Sequence, residues 1–306
     1  MRKFSICVLI LNLFFITSSV KSQEDIPEAD SLKINSSTFY KAVGYTAAYY
    51  AGSLFILSKT WYKDRPVVPF HFYNDTGGYL QVDKLGHIYG AYVYSYIGFQ
   101  YLLNSGLTRK EALYFGSTLG LILQTPIEIM DGIHEGYGFS WGDMAANAIG
   151  SALVFGQEVL FKEQAVKYKF SYSESAYADK ANGYLGKTAL DRLLKDYNGH
   201  TYWLSMPVNK IVNNSVIPPW LNIAIGYGAG GMYGEFENIK NYNGVEIPAA
   251  KRYRQYFLSL DIDWTKIKTD SRILQIILNA VTFIKLPFPA IEFNSLGEVK
   301  YHWIYY

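Results

Sequence analysis

Asp83-Lys84-Leu85-Gly86-His87 opens a stretch that continues through Glu128-Ile129-Met130-Asp131. It closes with Gly138-Phe139-Ser140-Trp141-Gly142-Asp143-Met144-Ala145-Ala146-Asn147-Ala148-Ile149-Gly150. Ionisable residues are sparse here and stand at helical spacings between long apolar segments; from Leu85 to Thr108 there is no Asp, Glu, Lys or Arg. Such groups are costly to bury unless they pair, bind a metal or face water. Their recurrence at three helix ends points to one shared polar site.

The helices follow from their start signals. Asp83 suits a helix N-terminus, where the backbone dipole favours an acid. Thr108 with Glu111 has the spacing of a capping box, and Ser140 with Asp143 repeats it. Pro126 is expected to kink or restart the helix just before Glu128. Upstream, Ser36 or Ser37 caps a helix running to about Thr60, and a loop rich in turn formers follows (Pro66, Pro69, Asn74, Asp75, Gly77, Gly78). Residues 36–162 therefore read as a bundle of about four helices carrying the polar motifs. The helix after Asp83 is long enough to cross a bilayer, which takes about 20 residues. Small residues such as Gly116, Gly120, Ala145, Ala146 and Gly150 allow close helix contact, and Tyr and Trp gather at segment ends. These features favour a membrane-associated bundle over a soluble one.

After Phe161 the composition changes. Residues 163–200 read as a polar linker, helical or irregular, with a short helix around Thr188 to Asp196. From Thr201 onward alternation replaces helical spacing. Leu221, Ile223, Ile225 and Tyr227 alternate with Asn222, Ala224, Gly226 and Gly228, and similar runs occupy Tyr256 to Trp264 and Val299 to Tyr306. A period of two means strands. An amphipathic helix is expected over Ser271 to Ile284, stopped by Pro287 and Pro289. The fold class expected is α+β: a helical bundle followed by a small antiparallel β-rich region over residues 201–306. A membrane barrel ranks below this, because barrels need about eight strands and only five or six can be traced.

Composition narrows the function. Half of the 306 residues are hydrophobic, 18% are charged, and Tyr alone accounts for 28. That is too apolar for a disordered chain. The net charge of +2 without a basic run gives no electrostatic footprint for nucleic acid. Arg2, Lys3, the apolar run Cys7 to Ile16, and Val20-Lys21-Ser22 read as a signal peptide over residues 1–22, cleaved before Gln23. Cys7 is the one cysteine, so the mature chain is expected to hold no disulfide and no thiolate-bound metal. A lipoprotein anchor needs a cysteine at the cleavage point, and none stands there.

Asp83 and His87 share a helix face, as do Glu128 and Asp131, and Asp143 and Asn147. Two chemistries fit. One is a divalent metal held by Asp83, His87, Glu128 and Asp131. The other is acid–base catalysis by His87, Glu128 and Asp143, the imidazole titrating and a carboxylate orienting it. Lys84, Ser140 and Asn147 support either site. The bland alternatives are that Asp83 and Asp143 merely serve helix starts and that Asn147 only bonds between helices. No nucleophile elbow, phosphate loop or zinc-protease helix motif is present. A membrane lipid or another envelope component is the expected partner.

Asp83-Lys84-x-x-His87, Glu128-x-x-Asp131 and Gly138-Phe139-Ser140-Trp141-x-Asp143 with Asn147 and Gly150 resemble the YfiM-like family of predicted periplasmic lipoproteins, of unestablished function. More distantly, the order is similar to that of the VanZ-like membrane proteins associated with glycopeptide resistance. The likeness spans roughly Asp83 to Phe161. It departs from the lipoproteins in lacking their anchor cysteine, and from the VanZ-like proteins in carrying Gly138 to Trp141 where they have an arginine. The resemblance implies a Gram-negative envelope protein, periplasmic and membrane-associated, and supplies no reaction.

Overall fold

The computed structural model describes residues 65–306, together with Tyr62 and a set of positions between Tyr40 and Lys59, all of which are helical. The signal peptide, its cleavage point and the expected cap at Ser36 or Ser37 lie outside the described residues. The fold is α+β. Two compact units divide it: a helical one (Met1–Thr76 and Gly90–Leu160) and a sheet-based one (Gly77–Tyr89 and Phe161–Tyr306).

In the helical unit, helix α1 (Val82–Asn104, shared along its length by the two units) is followed by α2 (Arg109–Gly132) and α3 (Trp141–Phe161). The Thr108 side chain accepts from the Glu111 N–H while Glu111 accepts from Thr108, the expected capping box. Ser140 caps α3 by accepting from the Asp143 N–H at 3.0 Å, and donates to Asp75 at 2.5 Å. Pro126 does not restart the chain: α2 runs through it to Gly132. A proline removes one helical hydrogen bond, and the turns on either side hold the helix without it.

The interior of this unit combines a close seam of small and polar residues with the buried side chains of Tyr92, Phe99, Leu103 and Val154, and part of its exterior is apolar. The buried residues of α2 are Ala112, Gly116, Ser117, Gly120, Gln124, Glu128 and Gly132, an i, i+4 stripe with its i+1 companions. Gly120 is obligatory for the packing, since a Cβ there would lie 2.0 Å from the Ala91 carbonyl oxygen of α1, and one on Gly116 would lie 2.4 Å from Phe99 Cα. Along this close seam Ser95 donates to the Ser117 carbonyl (2.6 Å) and lies 3.0 Å from the Ser151 hydroxyl, while Gln124 donates to Asn147 (2.6 Å). On the outside, Phe115, Ile122, Ile129, Ile149 and Leu160 are exposed. By length and composition, α3 is the one helix among the described residues that is apolar enough to cross a membrane. The sequence had favoured α1, but Tyr89, Tyr92, Tyr94, Tyr96, Gln100 and Tyr101 make it too polar.

The second unit is built on a six-stranded antiparallel sheet in the order β1-β2-β3-β6-β7-β8. Its strands are β1 (Lys167–Tyr172), β2 (His200–Pro207), β3 (Leu221–Gly230), β6 (Tyr253–Ile262), β7 (Phe288–Asn294) and β8 (Val299–Tyr305); β4 (Asn241–Tyr242) and β5 (Val245–Glu246) form a separate hairpin. Short helices α4 (Ala176–Lys180), α5 (Ala189–Lys195) and α6 (Val208–Ile211) fill connections, and α7 (Arg272–Val281) is the expected amphipathic helix. The stretch read as a linker holds β1, whose alternation of Lys167, Lys169 and Ser171 with Tyr168, Phe170 and Tyr172 is masked by its lysines. Pro289, read as part of a helix stop, lies within β7 at a register irregularity between Phe288 and Ala290, a place that tolerates a residue without an N–H.

The register assigns the two faces. Lys169, Trp203, Gly226, Phe257 and Glu292 stand side by side across the sheet, flanked by the row Lys167, Ser205, Ala224, Ser259, Ala290 and His302. All of these but His302 are buried. The opposite face carries the rows Tyr168, Leu204, Ile225, Leu258, Ile291, Tyr301 and Phe170, Tyr202, Tyr227, Tyr256, Phe293, Val299. The buried face thus mixes the Trp203, Ala224 and Phe257 core with paired charges, while these two rows of the other face are wholly apolar or aromatic.

Candidate functional site

Asp83 stands in the first turn of α1, as its charge demands. Its two oxygens are both engaged: Lys84 donates to Oδ2 and the Tyr197 hydroxyl to Oδ1, each at 2.9 Å. Burial opposes ionisation of Asp83, but His87, Lys84 and these hydrogen bonds outweigh it and hold the carboxyl below its ordinary value. Asp83 and His87, four residues apart, therefore act as one electrostatic unit on one helix face. Tyr197 packs on Tyr79 with the rings tilted and 4.5 Å between centroids. Around this group lies a tyrosine layer: Tyr168 donates to the Leu85 carbonyl, and Tyr89 packs on Tyr168, Phe170 and Tyr202.

His200 supports that layer. One ring nitrogen lies 2.8 Å from the Leu193 carbonyl and the other 3.3 Å from the Tyr202 hydroxyl. Burial lowers its pKa from 6.5 to about 4, so it is neutral at neutral pH. It is a positioning group for the tyrosines.

In the helical unit, Glu128 is fully buried on α2. Asp131, one turn on, accepts from the Tyr62 hydroxyl at 2.5 Å, and Tyr62 packs on His134 at 4.3 Å. Asp143 is buried in the first turn of α3 below the Ser140 cap, and Asn147 accepts from Gln124. Of the expected site residues, Asp83, Lys84 and His87 belong to the sheet-based unit, and Glu128, Asp131, Asp143 and Asn147 to the helical one. Sequence reasoning missed Tyr62 and Tyr197, the hydroxyls that seat Asp131 and Asp83. Each comes from more than 60 residues away, and among 28 tyrosines no spacing marks them.

A second ionic group was also missed. On the buried face of the sheet, Lys169 lies 2.6 Å and Lys285 3.9 Å from Asp261, and Lys167 lies 3.8 Å from Asp263. Burial pushes the Lys285 ammonium down to about 8 against the pull of Asp261; it sits over the Trp203 ring at 5.2 Å. These charges are paired and seal the sheet interior.

The donor set of an imidazole and a carboxylate at Asp83 and His87 suits a hard or borderline divalent cation, or acid–base work. No curated protein and no solved structure matches the chain. Residues 71–157, which include every residue of the three polar motifs, match the model of a family described as predicted periplasmic lipoprotein (DUF2279), and that match supports an exported, envelope location.

Proposed function

We propose that the chain is an envelope protein whose helical unit sits in or against a membrane. Its polar site, centred on Asp83 and His87, binds a divalent cation or a polar headgroup of a lipid or cell-wall precursor. The observation that carries the membrane part is the set of apolar side chains on the outside of helices whose close seams are polar. Glu128, Ser95, Ser117, Gln124 and Asn147 are buried, while Phe115, Ile122, Ile129, Ile149 and Leu160 are exposed. The exposed apolar side chains gain nothing in water and are solvated by lipid, while the buried polar ones bond between helices. Exposed Phe70 and Phe72 are apolar, and Trp141, whose ring clusters with theirs and with Phe139, supplies an amphipathic anchor of the kind found at bilayer interfaces.

For the site, Asp83 and His87 are the core ligands or acid–base pair. Lys84 and Tyr197 orient Asp83. The test is metal content of the purified full-length chain by mass spectrometry, with zinc and manganese titrations. His87→Ala and Asp83→Asn are expected to lower cation affinity at least tenfold with the thermal transition retained. Unchanged affinity in both variants sinks the metal reading.

A second reading has its own support: the Ser95–Ser151 and Gln124–Asn147 bonds cross between helices. The chain is then a non-enzymatic structural component of the envelope in which polar residues lock helix packing. Under it, His87→Ala changes stability and no ligand affinity.

A further inference from the structure

We propose that the sheet-based unit carries a saccharide-binding cleft, which takes an uncharged or acidic sugar ring between the segment 173–180 and the ends of β3, β6 and β8. A cavity of about 340 Å³ opens there, with Ser175, Tyr177, Tyr253, Gln255 and Tyr305 in its wall. Small-ligand pockets begin at about 300 Å³. The cavity lies wholly within one unit and holds neither Asp83 nor His87, so it stands apart from the cation site. Two buried carboxylates behind the wall set its polarity. Asp196 accepts from the Ser175 hydroxyl at 2.6 Å and from Asn198 Nδ2 at 2.9 Å. Asn198, also in the wall, donates to the Met232 carbonyl and accepts from the Met232 N–H, so its amide cannot turn. Glu292 accepts from Gln255 Nε2 at 3.0 Å and lies 2.8 Å from a ring nitrogen of His302. A carboxylate only accepts, so Ser175 and Gln255 each spend a proton on it and keep an oxygen that can accept from elsewhere. Gln255 Oε1 receives no hydrogen bond from the described residues. It stands 3.5 Å from where a Cβ on Gly228 would lie.

A wall of acceptors calls for a ligand rich in donors, and the rest of the lining says which kind. Its large surfaces are the rings of Tyr177, Tyr253 and Tyr305. Tyr253 lies against the backbone of Gly230, its ring 2.5 Å from where a Cβ would stand. Tyr305 packs on Phe257 at 4.3 Å between centroids and holds its hydroxyl 3.0 Å from Thr201. Burial raises the pKa of both phenols, so the rings are neutral. A sugar ring offers C–H groups on its face and hydroxyl donors around its edge. Aromatic faces beside fixed acceptors match both parts. An amine would also donate, but charge opposes it. Glu174, the carboxylate of the lining, is paired with Arg192, and Lys180 in the same wall has no ion pair among the described residues. The cleft therefore suits a neutral or acidic ring and repels a cation.

Ligand-observed NMR titration of the full-length chain, held in a zwitterionic detergent that carries no sugar, tests this with methyl glucoside, methyl N-acetylglucosaminide and methyl glucuronide. At least one of the three is expected to bind. Two variants place the binding: Ser173→Trp fills the mouth of the cavity from an exposed position, and Gln255→Leu removes the free acceptor. Each is expected to weaken the sugar tenfold or more with the thermal transition retained. No binding by any of the three sugars overturns the proposal, and so does binding that persists in both variants. Tighter binding of spermidine than of every sugar overturns the ligand class. The same sugar carried on a diacylglycerol in micelles distinguishes its source. Tighter binding than the methyl glycoside supports a glycolipid headgroup in the cleft, and equal binding supports a free glycan.

Discussion

Lys169 reaches Asp261 across the buried face of the sheet, Nζ to Oδ2 at 2.6 Å, with both side chains shut off from water. The same ammonium donates to the Ile262 carbonyl at 2.7 Å. The Asp261 contact is close without being aligned as a hydrogen bond, so the pair acts mainly through charge. Desolvation lowers the Lys169 pKa and Asp261 opposes it.

Removing one member of such a pair strands a buried charge. Lys169→Met is expected to cost about 3 kcal/mol, the lower end of the usual range, because Lys285 remains 3.9 Å from Asp261. Chemical denaturation followed by tryptophan fluorescence reads this, Trp203 lying beside the network. Adding Asp261→Asn to the variant is expected to recover part of the loss. A neutral single variant would mean that water reaches the pair.

Gly120→Val tests the helix seam. An added Cβ already meets the Ala91 carbonyl oxygen at 2.0 Å, and backbone cannot step aside as a side-chain tip can. Overpacking of this kind costs about 3 kcal/mol or more, and a lowered thermal transition in detergent would report it. Exposed Ile122→Val is the control, expected to stay within about 0.5 kcal/mol of the parent. Equal behaviour of the two variants contradicts the close approach of α1 and α2.

His200 sets an acid-side dependence. Its folded pKa, about 4, lies below the ordinary 6.5 because of burial. Between those values the unfolded chain binds the extra proton, so stability falls as pH drops from about 6.5 toward 4. The full span is worth about 3 kcal/mol. Comparing the parent with His200→Gln at pH 7.5 and pH 5 isolates it: the parent loses more stability between the two than the variant. Equal losses would show that His200 charges freely in the fold.

Tyr197→Phe removes the hydroxyl that donates to Asp83. The Asp83 pKa is expected to rise toward its unfolded value, and His87→Ala to raise it further, since the His87 charge ranks above the Tyr197 bond among the groups that lower it. Carbon NMR of the labelled carboxyl follows both. Because the folded pKa is depressed, Asp83 contributes stability above its unfolded value that is lost as pH falls through the folded one, and each variant shrinks that contribution. An unmoved titration in Tyr197→Phe would separate the phenol from the site.

Local signals were legible where they act over one or two turns. The Thr108–Glu111 box, the Ser140 cap, the start of α1 at Asp83, the amphipathic α7 and the alternation of β3, β6 and β8 all rest on neighbours a few residues apart. β1 was hidden because its inward residues are lysines, and hydropathy treats an inward lysine as an outward one. β7 was hidden by Pro289, which is a breaker in most contexts and harmless at a register irregularity. Tyr62, Tyr197, Asp261 and Lys285 lay beyond reach because their partners are distant in sequence.

The sequence by itself determined an α+β chain, the order of its polar motifs, and the acid–imidazole pair at Asp83 and His87, since helical spacing alone joins residues four apart. Only the tertiary structure decided which way the faces point. Alternation says that a strand has two sides, and strand register decides which residues of six strands share one. Here that decision placed Trp203 and Phe257 inside with the paired lysines and aspartates, and left Ile225, Leu258 and Tyr301 exposed.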